Sequence, residues 1–496
     1  MRGDAHATVA SRAGVAIGLA MGLALGLLPA LAWAHGFGAR FDLPIPMWLW
    51  LAGAGLTLVL SFAAVIDFLP AALERIDHPR HDLLRHAPVR LLAHPFVGGV
   101  VRVLAVLLFL ATIVAGLAGN PEPDRNLAPT MVWVVFWVGM AFASAFIGDV
   151  WQAINPLGTL FDWADALSRA LRGRSLAGGR SYPAGFDMWP AVAAMLAFGW
   201  GEHVWGGAAV PWNLGVILCA YTALTVAGML CYGRDDWLQH GEVFTVMFGL
   251  FARFAPLELR RRGQGAPVLA LRPPAVGLLE PRRASFAMVV FVLLTLSLVT
   301  YDGFKETSAW QELVTTLAVD APALDGATLG VLGLFAFPLL FLLAFLLCCW
   351  AMRLAARAAV SAATTTAGTL DLAGRFVCTL VPIAIAYHVA HYLSLLGTAS
   401  QLLIPLASDP LGRGWDLFGT AAYVVDPGLL GVRTVWYLVV TLIVVGHVFS
   451  VYLSHLVALD VYAERRAAIW SQVPMLVLMV AYTMTSLWIL AQPIVG

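Results

Sequence analysis

VLGLFAFPLLFLLAFLLCCW, residues 331–350, runs for twenty positions without a charged, hydroxyl, amide or imidazole side chain. A helix of this composition has no face for water, and at about 1.5 Å rise per residue it matches a hydrocarbon layer of ~30 Å. Working outward from it, similar runs recur at roughly 47–69, 98–118, 131–151, 188–210, 212–232, 285–303, 327–351, 376–396, 433–458 and 469–491. The fold class predicted is an all-α integral membrane protein, a polytopic bundle of about ten transmembrane helices. Composition agrees, with 60% apolar and 12% charged residues, roughly half the charge of a soluble domain. A net charge of zero supplies no basic field for nucleic acid. The five cysteines lie in or beside apolar runs and show neither zinc nor disulfide spacing.

The amino terminus reads as a signal peptide over residues 1–34: a polar start with Arg2 and Arg12, an apolar run, then Ala32-Trp33-Ala34. Cleavage after Ala34 makes His35 the first mature residue, where a free amine and an imidazole can chelate a metal together. An uncleaved first helix is the other reading. Residues 35–496 form a single polytopic domain in this scheme. The stretch 233–284 is a cytoplasmic loop whose apolar part, from Val243 to Leu257, suits an interfacial or re-entrant helix. The Gly-, Pro- and Asp-rich stretch 398–431 suits an outer covering loop.

Charge sets the predicted orientation. Twenty-one arginines fall in one set of alternate loops, against five basic residues in the other set: Arg40, Arg125, Lys305, Arg413 and Arg433. Arginine is retained on the cytoplasmic side, so both mature termini are placed outside a bacterial inner membrane.

Ionisable groups inside apolar spans are costly and mark candidate sites. They are Glu202 and His203 in GWGEHVWGG, Asp302 in TYDGF, His388 and His391 in AYHVAHYLS, and His447 in VVGHVFS. His388 and His391, three apart on a helix, face the same way. With a carboxylate they could hold zinc or copper. Equally, they could bond across helices as polar residues in membrane bundles do. Glu202 beside His203 lacks the His-Glu-x-x-His pattern of a zinc peptidase. His240 and Glu242 are placed to cap the helix that follows them. His78, His81, His86 and His94 interleave with arginines in a headgroup-facing loop. Phosphate-binding loops, nucleophile elbows and covalent haem motifs are absent from the sequence.

The stretches HGFGARFDLPIPMWLW (35–50), GEVFTVMFGLFARFAPLE (241–258), YHVAHYLSLLG (387–397), QLLIPLASDPLGRGWDLFGT (401–420) and GHVFSVYLSH (446–455) together resemble the bacterial membrane proteins named fenitrothion hydrolase. That resemblance implies hydrolysis of an organophosphate triester at the bond from phosphorus to the aryl oxygen. It supplies no catalytic residues, so the candidates come from the spans. In the combined reading His388 and His391 ligate a divalent metal with His447 or His203 as third ligand. Asp302 orients water, Arg413 neutralises charge on the phosphoryl group, and an apolar substrate arrives through the lipid bilayer. Two other readings use the same residues: a transporter or proton-conducting protein, and a copper-handling or redox-complex subunit in which His35 takes part.

Overall fold

The computed structural model describes residues 46–68, 78–261, 267–280, 283–321, 324–359 and 367–492. The signal peptide and His35 lie outside the described residues. The principal helices are α1 (Met47–Phe68), α2 (Pro95–Ala118), α3 (Leu127–Phe146), α4 (Pro156–Arg172), α5 (Trp189–His203), α6 (Pro211–Tyr232), α7 (Val243–Ala252), α8 (Phe286–Lys305), α9 (Gly326–Ala359), α10 (Thr369–Ser408), α11 (Val432–Val461) and α12 (Arg465–Leu490). Among the described residues nine of these are long and apolar enough to cross a membrane: α1, α2, α3, α6 and α8 to α12. The protein is an all-α, multi-pass membrane protein.

The expected span at 188–210 is the exception. Its helix, α5, has 15 residues and covers only about 22 Å. Near its start, the Tyr182 ring lies 5.4 Å from that of Tyr232, at the end of α6. Past its end, the Ala208 carbonyl accepts from Trp133 Nε1 at 3.1 Å, near the start of α3. Helix α5 is therefore not among the helices long and apolar enough to cross a membrane.

By density of internal contacts the chain divides into two compact units, residues 1–78, 278–391 and 432–496 in the first and residues 79–277 and 392–431 in the second. In the first unit, α8 and the opening part of α10 are buried almost throughout, whereas α9 exposes most of its side chains. Small residues let helices approach closely, as membrane bundles require. Tyr301 packs over Gly333 and donates to the Gly330 carbonyl at 2.9 Å. A Cβ built on Gly446 of α11 would stand 2.4 Å from Ala386 Cβ and 2.8 Å from the Pro382 oxygen. Gly446→Ala should therefore destabilise the protein by about 1–3 kcal/mol. A thermal unfolding midpoint in detergent equal to that of the parent would contradict this packing.

The second unit holds α2 to α7 and a small antiparallel sheet in the order β1-β3-β2, with β1 at His81–Asp82, β2 at Leu257–Arg261 and β3 at Pro267–Leu271. The headgroup-facing loop is thus partly a strand, and His94 N-caps α2 by accepting from Phe96 N at 3.2 Å. Helix α7, in the stretch expected to form an interfacial or re-entrant helix, has eight of its ten residues buried. Its ends explain how. Glu242, itself buried, accepts from the backbone of Phe244 and Thr245 and from the hydroxyls of Tyr221 and Thr245. At the other end buried Arg272 donates to the carbonyls of Ala252, Arg253 and Ala255. Polar satisfaction at both termini is what lets a short apolar helix sit inside protein. His240 does not share the capping role predicted for it. It closes the preceding helix, Arg234–His240, and stacks on Tyr182 at 5.3 Å.

Helix α4 ends at Gly173, whose φ of 66° is left-handed and suits glycine at a helix C-terminus. The chain then folds back onto Asp165, which accepts from Ser175 Oγ at 2.7 Å and from Leu176 N at 2.6 Å. The Ser175 hydroxyl bond, then the Leu176 amide, hold this carboxyl below its ordinary range. A depressed carboxyl contributes stability above the unfolded value of about 3.9 and loses it as pH falls through the lower folded value. Exchange protection at the Leu176 amide should therefore be level from neutrality to about pH 4 and decline below it. It should already be weak at neutral pH in Asp165→Asn. Protection independent of both changes would rule out the anchor.

Candidate functional site

Asp302 sits in the last turn of α8, where the helix dipole disfavours a negative charge. Two cationic or donor groups answer it. Lys305, one turn on, places Nζ 3.1 Å from Oδ1, and His391 of α10 places Nε2 2.7 Å from Oδ2. The predicted carboxylate and one predicted histidine therefore meet, both within the first unit. Asp302 is an acceptor, so the His391 ring donates to it through Nε2–H. A Cβ built on Gly303 would stand 3.0 Å from the Tyr387 hydroxyl and 3.8 Å from His391 Nδ1, so glycine lets these groups press against the end of α8.

The other two histidines predicted in this unit lie deeper. The His391 side chain keeps 18% of its surface exposed, whereas His388 and His447 keep 1% each. His447 donates or accepts through Nδ1 at the Ile443 carbonyl, 2.8 Å away, and a carbonyl can only accept, so Nδ1 carries the proton. Its ring lies 6.0 Å from Tyr482, whose hydroxyl bonds Thr300 at 2.6 Å. Because Gly446 abuts Pro382 and Ala386, His447 lies about 10 Å along the α10 axis from His391. His388 is between these levels. The three imidazoles therefore stand at different heights along α10.

The second unit carries its own polar cluster. Glu202 accepts from the Tyr392 hydroxyl at 2.8 Å and lies 3.4 Å from His203 Nε2. Trp137 and Phe198 pack with ring centroids 4.5 Å apart, and the Tyr392 ring lies 6.5 Å from that of Trp137. Arg413 is an anchor of the covering loop: its exposed side chain donates to the Ala118 carbonyl at the end of α2, 3.1 Å away. Asp409 accepts from the backbone of Arg413 and Gly414, and Gln401 bonds Asp426 and Tyr423. The loop is a fixed structure with specific tethers.

Sequence reasoning passed over Tyr387, Tyr392 and Tyr482, since tyrosine is ordinary in a span. It also passed over His455, fully buried on α11 and 3.2 Å from Gln472 of α12. A signal existed there: His447, Ser450, Ser454 and His455 recur at helical spacing in an otherwise apolar segment. Ser450 and Ser454 both bond Thr379.

Comparison of the chain with protein-family models, curated proteins and solved structures found no match.

Proposed function

We propose that the protein is a membrane-embedded hydrolase in which His391, oriented by Asp302, takes a proton from the water that attacks an apolar phosphoric triester of the fenitrothion type. The observation that carries this reading is the 2.7 Å bond from His391 Nε2 to Asp302 Oδ2, on the most exposed of the three candidate imidazoles His388, His391 and His447. Water oxygen bonds to phosphorus, the bond to the aryl oxygen breaks, and the proton held on Nδ1 passes to the departing aryloxide or to solvent. Asp302 stabilises the imidazolium formed in between, which is the usual division of labour in a carboxylate–histidine pair.

A divalent metal is the alternative activator at the same residues. His391 Nδ1 and the His388 ring would hold it, and a carboxylate on the far nitrogen is the usual support for a ligating histidine. Zinc or copper there would supply a water of lowered pKa. Elemental analysis of purified protein separates the two forms, since only the second requires stoichiometric metal. In the proposed topology the basic loops face the cytoplasm of a bacterial cell and both mature termini face out.

The test uses purified full-length protein and a nitroaryl phosphorothioate or phosphate triester, with release of the nitrophenol as readout. Turnover by the parent, and its loss by roughly 10²-fold or more in His391→Ala, is expected. No release, or equal release by the variant, rejects the proposal. A second reading, proton-linked transport, draws on the buried polar row His447, Ser450, Ser454 and His455 of α11. Sealed vesicles that accumulate a solute or protons without triester turnover would favour it. Copper bound in the absence of either activity would favour a metal-handling role.

A further inference from the structure

We propose that α4 and the loop after it form a binding site for anionic phospholipid. Helix α4 is not a span: one of its faces, with Leu157 and Phe161, is packed in a core with Met229 and Leu238. The opposite face carries Trp163, Leu167 and Leu171 at successive helical turns, exposed by 46%, 59% and 74%. In a membrane protein, a helix buried on one side and apolar on the other lies in the plane of the interface with its apolar arc towards acyl chains. Tryptophan is a characteristic residue at that depth.

The charge beside this stripe identifies the lipid class. Arg172, Arg174 and Arg180 are all exposed and follow directly from Leu171, and none of them is paired with a carboxylate among the described residues. The nearby acids are already engaged: Asp165 with Arg169, Ser175 and Leu176, and Asp162 with Arg234. The arginines are held rather than trailing. Ser168 Oγ donates to the Arg174 carbonyl at 3.0 Å, and Gly178 N donates to the Leu230 carbonyl at 2.6 Å. Three exposed guanidinium groups on a tethered loop beside an acyl-facing stripe suit a phosphate headgroup with no compensating cation, because each basic residue near an anionic surface contributes about 1 kcal/mol.

The site is independent of the hydrolase reading and is tested without any turnover. Full-length protein in nonionic detergent is titrated with phosphatidylglycerol or, separately, phosphatidylcholine, and bound lipid is counted by native mass spectrometry. Phosphatidylglycerol should be retained preferentially. Its half-saturating concentration should rise on the order of a hundredfold in the Arg172→Gln, Arg174→Gln, Arg180→Gln triple variant. In the parent, retention should weaken as salt is added, which keeps the test informative if the variant folds poorly. Equal retention of the two lipids, an unchanged triple variant, or retention indifferent to salt would overturn the proposal.

Discussion

Asp302→Asn is expected to lower kcat for triester hydrolysis by roughly 10²–10⁴-fold while leaving KM nearly unchanged. The carboxylate touches His391 and Lys305, one oxygen to each, and its proposed part is to hold the His391 tautomer and offset the imidazolium charge. An asparagine of the same size keeps the shape but loses the charge, and its amide can donate to Nε2, which moves the ring proton to Nδ1 and removes the base. A fall in kcat of this size with an unchanged unfolding midpoint supports the pair as a catalytic unit. A wild-type kcat in Asp302→Asn would leave His391 without its proposed partner, and a matching loss of folded protein would reassign the bond to stability.

The largest stability effect is expected at Arg272. Its side chain is 5% exposed and bonds Glu258 at 2.9 Å besides the three carbonyls that close α7. Arg80 holds the other Glu258 oxygen, also at 2.9 Å. Arg272→Leu deletes every one of the donors that Arg272 supplies and leaves Glu258 half-paired beside a helix terminus that already carries negative partial charge. Removing one partner of such a buried pair costs about 3–5 kcal/mol. Arg272→Lys should recover only part of this, since one ammonium group cannot reproduce a planar fork. Unfolding midpoints in detergent for the three proteins give the order parent, lysine, leucine if the account is right. A leucine variant as stable as the parent would show that α7 is held by its apolar contacts alone.

The helices were legible because a lipid environment writes itself into composition. A run such as 331–350 has few other physical solutions, and nine of the ten expected spans coincide with long apolar helices, although Thr369–Ser408 extends well past the run expected at 376–396. What escaped was set by tertiary contacts. Val243 to Ala252 has the same apolar content whether it lies on a membrane or inside protein; Glu242 and Arg272, which cap its two ends, decide the matter. Strands β2 and β3 were masked because LELRR and PVLAL are short and charged or proline-led. At the site, Asp302 and His391 were each visible as costly residues in apolar surroundings, but no spacing rule joins positions on different helices. Arg413 was visible as a cation on a covering loop; its bond to the Ala118 carbonyl was not.

The central claim is that His391 donates through Nε2 to Asp302 and acts as a base through Nδ1. Solid-state nitrogen NMR of histidine-labelled protein in bilayers, with the His391 signals assigned by their loss in His391→Gln, measures this directly. The account predicts one protonated nitrogen at Nε2 and one unprotonated nitrogen at Nδ1 at neutral pH, with the pattern altered in Asp302→Asn. A proton on Nδ1 in the parent, alone or together with one on Nε2, would contradict it.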